Sequence, residues 1–183
     1  SVMDMLTVLY HKYMRLDVKN PKWEDRDRLI LSKGHAGIAY APVLVDFGWN
    51  DPEQLKTFNH TNSKMGIHLD SNKVVGVDAS TGSLGHGLPI AVGTALAARV
   101  LGKDYKTYCI LGDGECDEGS NWEAAMSAST FKVTNMISPT NLEVNTCVEH
   151  LTRVDNRLAD TDFRQRSNLN KQVLGILAIP VDA

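Results

Sequence analysis

The sequence places one aspartate where it could hold a hard cation. Asp113 lies between Gly112 and Gly114, directly after the apolar run 109–111. Glycines on both sides let the backbone turn sharply and let a ligand approach closely. Mg²⁺ or Ca²⁺ would take an oxygen ligand from such a side chain, and Mg²⁺ often fills its other positions with phosphate oxygens. The alternative is a turn in which the aspartate hydrogen-bonds its own backbone, and the triplet alone leaves both interpretations open.

A second candidate is the glycine-rich stretch STGSLGHG at 80–87, which precedes a predicted helix. Its glycines allow backbone N–H groups to face an anion, and a helix N-terminus adds a favourable dipole. The stretch is neither a Rossmann nor a Walker phosphate motif, so a flexible loop is the alternative. Three histidines, His35, His68 and His86, lie in or near such loops, and imidazole suits phosphate contacts and proton transfer near neutral pH.

Acidic residues follow the aspartate at Glu115, Asp117, Glu118 and Glu123. One interpretation is that these acids complement the dipole of the predicted helix at whose start they lie, and for Asp117 that is the better interpretation. No Cys-His pair and no nucleophile elbow accompanies them, so covalent acyl chemistry has no support in the sequence.

The composition of the 183 residues narrows the function classes. A net charge of −3 argues against nucleic acid or an anionic membrane as the main partner. The three cysteines have no Cys-x-x-Cys spacing, which disfavours a disulfide framework or a zinc site and favours a reducing cytoplasm. We find no apolar run long enough to span a membrane and no signal-peptide pattern, so no membrane partner is expected.

Hydrophobic periodicity and turn residues predict alternating helices and short strands. The predicted helices cover 2–15, 35–49, 51–58, 88–102 and 120–131, and the predicted strands cover 29–32, 105–111 and 175–181. Asp51, and Ser120 or Asn121, are the expected helix caps. The stretch 60–87 shows no period, and such a long irregular segment is usually functional. This order predicts an α/β fold in one domain, 1–183, with a parallel sheet covered by helices on both faces. Ligands of such sheets bind beyond the carboxyl ends of the strands.

Four segments share an order and spacing with one enzyme family. They read DMLTVLY, NPKWEDRDRLILSKGHA, GVDASTGSLGHGLPIAVGTALAARVLGKDY and GDGECDEGSNWEAAMSAS. Together they resemble the N-terminal, diphosphate-binding part of transketolase, roughly over residues 1–135. Related deoxyxylulose-phosphate synthases and dehydrogenase first components share a Gly-Asp-Gly, but not the STGSLG and EGSNWEAAM segments. The resemblance implies the thiamine diphosphate-binding fold of the diphosphate (PP) type.

The resemblance further implies an enzyme that moves a two-carbon ketol unit between sugar phosphates with thiamine diphosphate and Mg²⁺ (or Ca²⁺). The thiazolium of this cofactor acts as an electron sink for carbanions. In that family His35 would contact the diphosphate and His68 would lie near the thiazolium and substrate, which makes both histidines catalytic candidates. The residues around the cofactor would be Gly82, Ser83, Leu84, Asp113, Gly114 and Glu118, with Asp113 on the metal. Glu118 and Glu123 match acids at a subunit interface that link paired sites.

The histidines depart from the family pattern in three ways. His68 stands in Ile-His-Leu, where the family usually has Gly-His-Pro, and His86 stands where a Gln is common. A Gly-His-Pro-Gly-Gly segment, which carries another substrate-site histidine in the family, would lie just before Ser1.

The second metal ligand of the family is an Asn about thirty residues after the aspartate, in a strand that ends Asp-x-Asn. That count reaches Glu143 (113 + 30), with Asn141 two positions before it and Asn145 two after. All three are candidates, since a small register shift would bring in an asparagine, whereas Glu143 would add a negative charge beside the diphosphate. Pro139 interrupts the expected apolar strand, because proline fits poorly in a central strand.

In this family the acid that partners the aminopyrimidine lies in a second, pyrimidine-binding domain, and this sequence has no such segment. The chain is therefore expected to be truncated at both ends or to be one subunit of a split transketolase. Its partner would be a pyrimidine-binding domain or C-terminal subunit, in a homodimer or heterotetramer. Two alternatives stay open: a non-catalytic transketolase-like domain with an impaired metal site, and a first-component subunit of a 2-oxo acid dehydrogenase.

Overall fold

Four parallel strands form a sheet around a central strand, β2, in the computed structural model, which describes residues 2–141 (for Asn141, the backbone alone). The strands are β1 (Arg28–Leu31), β2 (Thr107–Gly112), β3 (Met136–Ile137) and β4 (Thr140–Asn141). β1 runs beside β2 with Leu31 opposite Ile110, and both β3 and β4 also pair with β2. The predicted parallel sheet is confirmed, and the predicted strand 175–181 lies outside the described residues.

The helices occur where periodicity predicted them, with different ends. They are α1 (Val2–Val8), α2 (Gly37–Asp46), α3 (Glu53–Lys56), α4 (Gly87–Val100) and α5 (Gly119–Thr130). α1 continues as a π-helix over Leu9–Tyr13, and 3₁₀ turns cover Gly34–Ala36 and Gly114–Asp117. At α3 the N-cap position is Pro52, one residue after the predicted Asp51, but the Asp51 carboxylate still accepts a hydrogen bond from Glu53 N at 2.9 Å. Among the described helices, none combines the length and the hydropathy that crossing a membrane requires.

Helices cover both faces of the sheet, as predicted. Alternate residues of a strand face opposite sides, so β1 and β2 contribute to two apolar cores. The core against α1 and α2 contains Leu29, Leu31, Tyr108 and Ile110. The core against α4 and α5 contains Ile30, Cys109 and Leu111. All six residues of β2 are buried, so the packing of this strand fixes the position at which the following residues leave the sheet.

The long segment before α4 has no helix or strand over 60–86, in agreement with its missing periodicity. It is nevertheless packed, because Met65, Leu69 and Val74 are buried in the core that also contains α1 and α2. These single apolar residues tie the segment to the domain without forming a periodic pattern.

A buried ion pair fastens the end of this segment to β1. Arg26 donates two hydrogen bonds to the Asp78 carboxylate, at 2.5 and 3.1 Å, and the backbone N–H of Leu29 donates a third at 2.8 Å. The two charged side chains are only 10% and 8% exposed. Burial alone would lower the pKa of Arg26, but its hydrogen bond to Asp78 and the charge of that carboxylate raise the pKa above its usual value.

Two buried tyrosines support the same segment and make stability depend on pH. The hydroxyls of Tyr10 and Tyr40 share a hydrogen bond of 2.6 Å, and Tyr40 donates to the Gly76 carbonyl at 3.1 Å. Burial, and after it the charge of Asp78, raises the pKa of Tyr10, and burial also raises the pKa of Tyr40. In the unfolded chain both groups titrate near pH 10.0.

We expect the free energy of unfolding to fall as pH rises above 10.0, because the unfolded chain then releases tyrosine protons that the folded chain retains. Below that pH both states hold these protons, so the two tyrosines add no slope. Urea unfolding at a series of pH values measures the effect. Lysines also titrate in this range, so Tyr40→Phe serves as the comparison and is expected to give a shallower fall. An identical slope in both proteins would contradict the assignment.

Candidate functional site

The candidate site lies at the carboxyl ends of β1 and β2. β1 is followed by Ser32, Lys33 and the 3₁₀ turn that carries His35, and β2 is followed directly by Asp113. Since the two strands are parallel neighbours, both connections leave the sheet at the same edge. The structure thus brings the turn of His35 and the turn of Asp113 to one edge, where the sequence predicted a ligand site.

The glycine-rich loop 80–87 is hydrogen-bonded to the end of β1 and to α5, the helix that follows β2. On the β1 side, the Thr81 hydroxyl donates to the Leu31 carbonyl at 2.5 Å. On the β2 side, the Ser120 hydroxyl donates to the Gly85 carbonyl at 2.8 Å. These two hydrogen bonds attach the stretch to its neighbours on both sides.

Gly85 has to be glycine for two independent reasons. Its φ of +83° lies in the left-handed region, which residues with a Cβ rarely adopt. A Cβ at this position would also lie 2.7 Å from the Glu118 Cβ and 2.5 Å from the Ser120 hydroxyl. Glu118 is consequently in close contact with the end of the loop, beside the residues that the resemblance assigns to the cofactor.

Glu115 is the residue whose role the sequence did not reveal. As a dipole-complementing acid it should be exposed, but it is only 2% exposed. Its carboxylate accepts hydrogen bonds from the Ser32 hydroxyl, from Gly85 N at 2.9 Å and from Gly112 N at 3.0 Å. Burial, and after it the charge of Glu115, raises the pKa of the Cys109 thiol, so that thiol is no nucleophile at neutral pH.

The start of α5 differs from the prediction because its cap candidates have other partners. The helix begins at Gly119, after an extended Glu118, so neither Ser120 nor Asn121 caps it. Ser120 bonds the glycine-rich loop, and the Asn121 amide donates to the Glu115 carbonyl at 2.6 Å. Ser120 therefore ties the helix to the glycine-rich loop, and Asn121 ties it to the turn after β2. In sequence, these tertiary roles look like those of helix caps.

The predicted loop residues lie together in the structure. The His68 ring lies over Gly82, where a Cβ would be 3.1 Å from the ring carbon Cδ2. His68, Gly82, Ser83 and Leu84 are all exposed, as is His35. Gly34, beside His35, is so close to the Thr81 carbonyl that a Cβ there would overlap it. The contacts place both histidines beside the glycine-rich loop, and their catalytic roles remain predictions.

The metal ligands are described only in part. The Asp113 carboxylate is half-buried and accepts a hydrogen bond from Gly114 N at 2.9 Å, so the turn interpretation holds and leaves metal binding untested. The backbone of Asn141 pairs with Gly112, directly before Asp113. Glu143 and Asn145 lie outside the described residues. Over residues 2–141, no group of three or more His, Cys, Asp or Glu side chains is arranged to hold a metal ion.

The strand that leads toward these candidates is interrupted as expected. β3 and β4 are separated by Ser138 and Pro139. The Ser138 hydroxyl donates to the Cys109 carbonyl at 3.0 Å, and the Pro139 carbonyl accepts from Leu111 N at 3.2 Å. The chain therefore stays beside β2 across the proline, although the regular ladder is broken.

Comparisons with known proteins identify the family. The profile described as "Transketolase, thiamine diphosphate binding domain" matches residues 1–153. The chain is 43% identical over 137 residues to one subunit of the apulose-4-phosphate transketolase of Actinobacillus succinogenes, covering 75% of this chain and 50% of that protein. It is 43% identical over 141 residues to the SqwG subunit of the 6-deoxy-6-sulfo-D-fructose transketolase of a Clostridium species, covering 77% of this chain and 51% of that protein.

A solved structure agrees with this match. Transketolase from Leishmania mexicana superposes with a TM-score of 0.72 at 31% sequence identity, over 75% of this chain and 22% of that chain. The fold is therefore the α/β fold of transketolases. The chain belongs to the transketolase family, in its thiamine diphosphate-binding domain. It spans about half the length of the curated relatives named above.

The residues at this edge fit a diphosphate held with a hard cation. Gly82, Ser83 and Leu84 are exposed residues of the glycine-rich loop. A Cβ built on Gly114 would meet no other atom within 4 Å, so the space beside it is open as well. Asp113 supplies a carboxylate oxygen, which is the donor that Mg²⁺ prefers.

Proposed function

We propose that the protein containing this chain transfers a two-carbon ketol unit between sugar phosphates, with thiamine diphosphate and Mg²⁺. One observation carries the proposal most strongly. The glycine-rich loop is hydrogen-bonded to the end of β1 and to Glu115 and Ser120, which follow β2, so the predicted diphosphate residues lie at the edge that carries Asp113. The family match and the relatives named as transketolase subunits support the same reaction.

In this proposal each predicted residue has a chemical task. Asp113 would hold Mg²⁺, together with a ligand from Asn141, Glu143 or Asn145. The diphosphate would be bound by His35, Gly114 and the exposed loop residues Gly82, Ser83 and Leu84. His68, which lies over Gly82, would hold or move a proton of the sugar substrate, since an imidazole ring can both donate and accept a proton. The bound cofactor would supply the electron sink that ketol transfer needs.

We further propose that this chain works with a partner that supplies the pyrimidine-binding domain. Two relatives at 43% identity are named as transketolase subunits, which is what a split enzyme would provide. Glu118 and Glu123 are exposed near the start of α5 and are available for a subunit interface. A homodimer or heterotetramer in the cytoplasm is the assembly that we propose.

One observation favours a second candidate, a non-catalytic domain of the same fold. Glu143 stands at the position where the family has its metal-binding Asn. An added negative charge there would oppose a diphosphate, and metal binding would be poor. Such a protein would keep the fold and the subunit surface without binding the cofactor.

Titration calorimetry with thiamine diphosphate and Mg²⁺, in the presence of the pyrimidine-binding partner, separates these candidates. We expect saturable uptake that requires Mg²⁺, whereas no uptake would eliminate the enzyme and favour the non-catalytic domain. A two-substrate assay with a ketose phosphate and an aldose phosphate then measures ketol transfer. Release of CO₂ from a 2-oxo acid instead would identify a dehydrogenase first component.

A further inference from the structure

The Glu115 carboxylate joins three segments that are far apart in the chain. Ser32 follows β1 and lies in the connection that carries His35. Gly85 ends the exposed part of the glycine-rich loop, and Gly112 directly precedes Asp113. One buried side chain thus contacts the connection that carries His35, the glycine-rich loop and the turn that carries Asp113.

The hydrogen bonds require a carboxylate at this position. An ionised carboxylate only accepts hydrogen bonds, so its two oxygens can serve the Ser32 hydroxyl and the two backbone N–H groups together. The Gly85 and Gly112 N–H groups would lose a buried acceptor without it, and an unsatisfied buried donor is costly. Because Glu115 is only 2% exposed, it acts on a ligand through these donors and does not reach the ligand itself.

We propose that Glu115 is a positioning residue that holds the glycine-rich loop and the Asp113 turn in the arrangement that binds thiamine diphosphate and Mg²⁺. This inference rests on the proposed function. Electrostatics alone makes the opposite prediction, because removing a negative charge near an anionic diphosphate would strengthen its binding. The sign of the change in affinity therefore distinguishes positioning from charge.

Glu115→Gln tests this inference with little change in shape. In the complex with the partner and saturating Mg²⁺, we expect the Kd for thiamine diphosphate to rise by about tenfold, the factor that loss of one hydrogen bond to a charged group can give. Ser32→Ala, which leaves both backbone bonds to the carboxylate in place, is expected to raise the Kd less. Without cofactor, the amides of Gly85 and Gly112 should exchange their hydrogens faster in Glu115→Gln than in the wild type.

Leu6→Ala provides the control for general destabilisation. Leu6 is fully buried in the core that contains α1 and α2, on the other face of the sheet from α4 and α5. We expect this variant to lower Tm and leave the Kd unchanged. If Glu115→Gln lowers Tm but keeps or tightens the Kd, the positioning role is wrong and the proposed function stands. If the wild-type complex binds no cofactor, the proposed function and the positioning role of Glu115 are both wrong. Should Glu115→Gln not fold, an unchanged Kd in Ser32→Ala overturns the role.

Discussion

Asp113→Ala is expected to abolish Mg²⁺-dependent uptake of thiamine diphosphate, with a rise in Kd of more than about 100-fold. Loss of a group that only hydrogen-bonds to a metal ligand already lowers metal affinity by about 10- to 100-fold, so loss of the ligand itself should exceed that range. The variant also loses the hydrogen bond that the Asp113 carboxylate accepts from Gly114 N at 2.9 Å, but this loss is small enough for the fold to survive. Loss of such a cap lowers the free energy of unfolding by about 1 kcal/mol. Calorimetry in the partner complex measures the binding, and urea unfolding measures the stability.

Asp117→Ala is the matched control, because this exposed carboxylate lies in the same 3₁₀ turn and is not a predicted ligand. It should bind the cofactor as the wild type does. Asp113→Asn keeps one carbonyl oxygen, so its Kd for thiamine diphosphate should lie between those of the wild type and Asp113→Ala. Equal loss in Asp113→Ala and Asp117→Ala would show that the acidic turn acts through its charge, and a Kd unchanged in Asp113→Ala would exclude this residue as the metal ligand.

Asp78→Ala should be among the most destabilising substitutions in the described part of the chain, at about 3–5 kcal/mol in the free energy of unfolding. Breaking a buried ion pair by removing one partner leaves an uncompensated charge, here the Arg26 guanidinium at 10% exposure. The Leu29 N–H loses its acceptor as well. The free energy of unfolding of a typical domain is only about 5–15 kcal/mol, so the variant should unfold at a much lower urea concentration than the wild type.

Asp104→Ala removes a carboxylate from a second aspartate–arginine pair and serves as the comparison. Asp104 accepts from Arg15 at 2.7 and 3.1 Å, but its side chain is 82% exposed. Solvent screens such a pair, so the urea midpoint should change little. Similar midpoints for the two variants would mean that burial of the Arg26 pair contributes nothing, which would contradict the structural explanation.

The elements of this fold were predictable where the chain is locally periodic. The apolar runs that predicted strands at 29–32 and 105–111 correspond to β1 and β2 with ends shifted by one or two residues. The predicted helix 2–15 is helical only to Tyr13, and its second half is a π-helix, since apolar spacing does not distinguish hydrogen-bond patterns. Met65, Leu69 and Val74 were missed as core residues because isolated apolar residues carry no period.

The residues of the candidate site were predictable from the sequence, but the buried residue that hydrogen-bonds to its loops was not. Asp113 and the glycine-rich loop have local sequence signals, namely glycines around an acid and glycines before a helix. Glu115 has no such signal, because two of its three hydrogen-bond donors, Ser32 and Gly85, are distant in sequence. Nothing in a local window distinguishes a buried acceptor of this kind from an exposed acid at a helix start.

The pairing of β1 with β2 has a consequence for how the chain folds during synthesis. Arg28 and Thr107 are opposite each other in the sheet and 79 positions apart in sequence (107 − 28). Closing so long a loop costs entropy before any contact forms, and parallel pairings of this kind fold slowly. A nascent chain that ends before Thr107 holds an apolar β1 without its neighbour, a state prone to aggregation. The edge that carries both candidate turns can form only after β2 has left the ribosome.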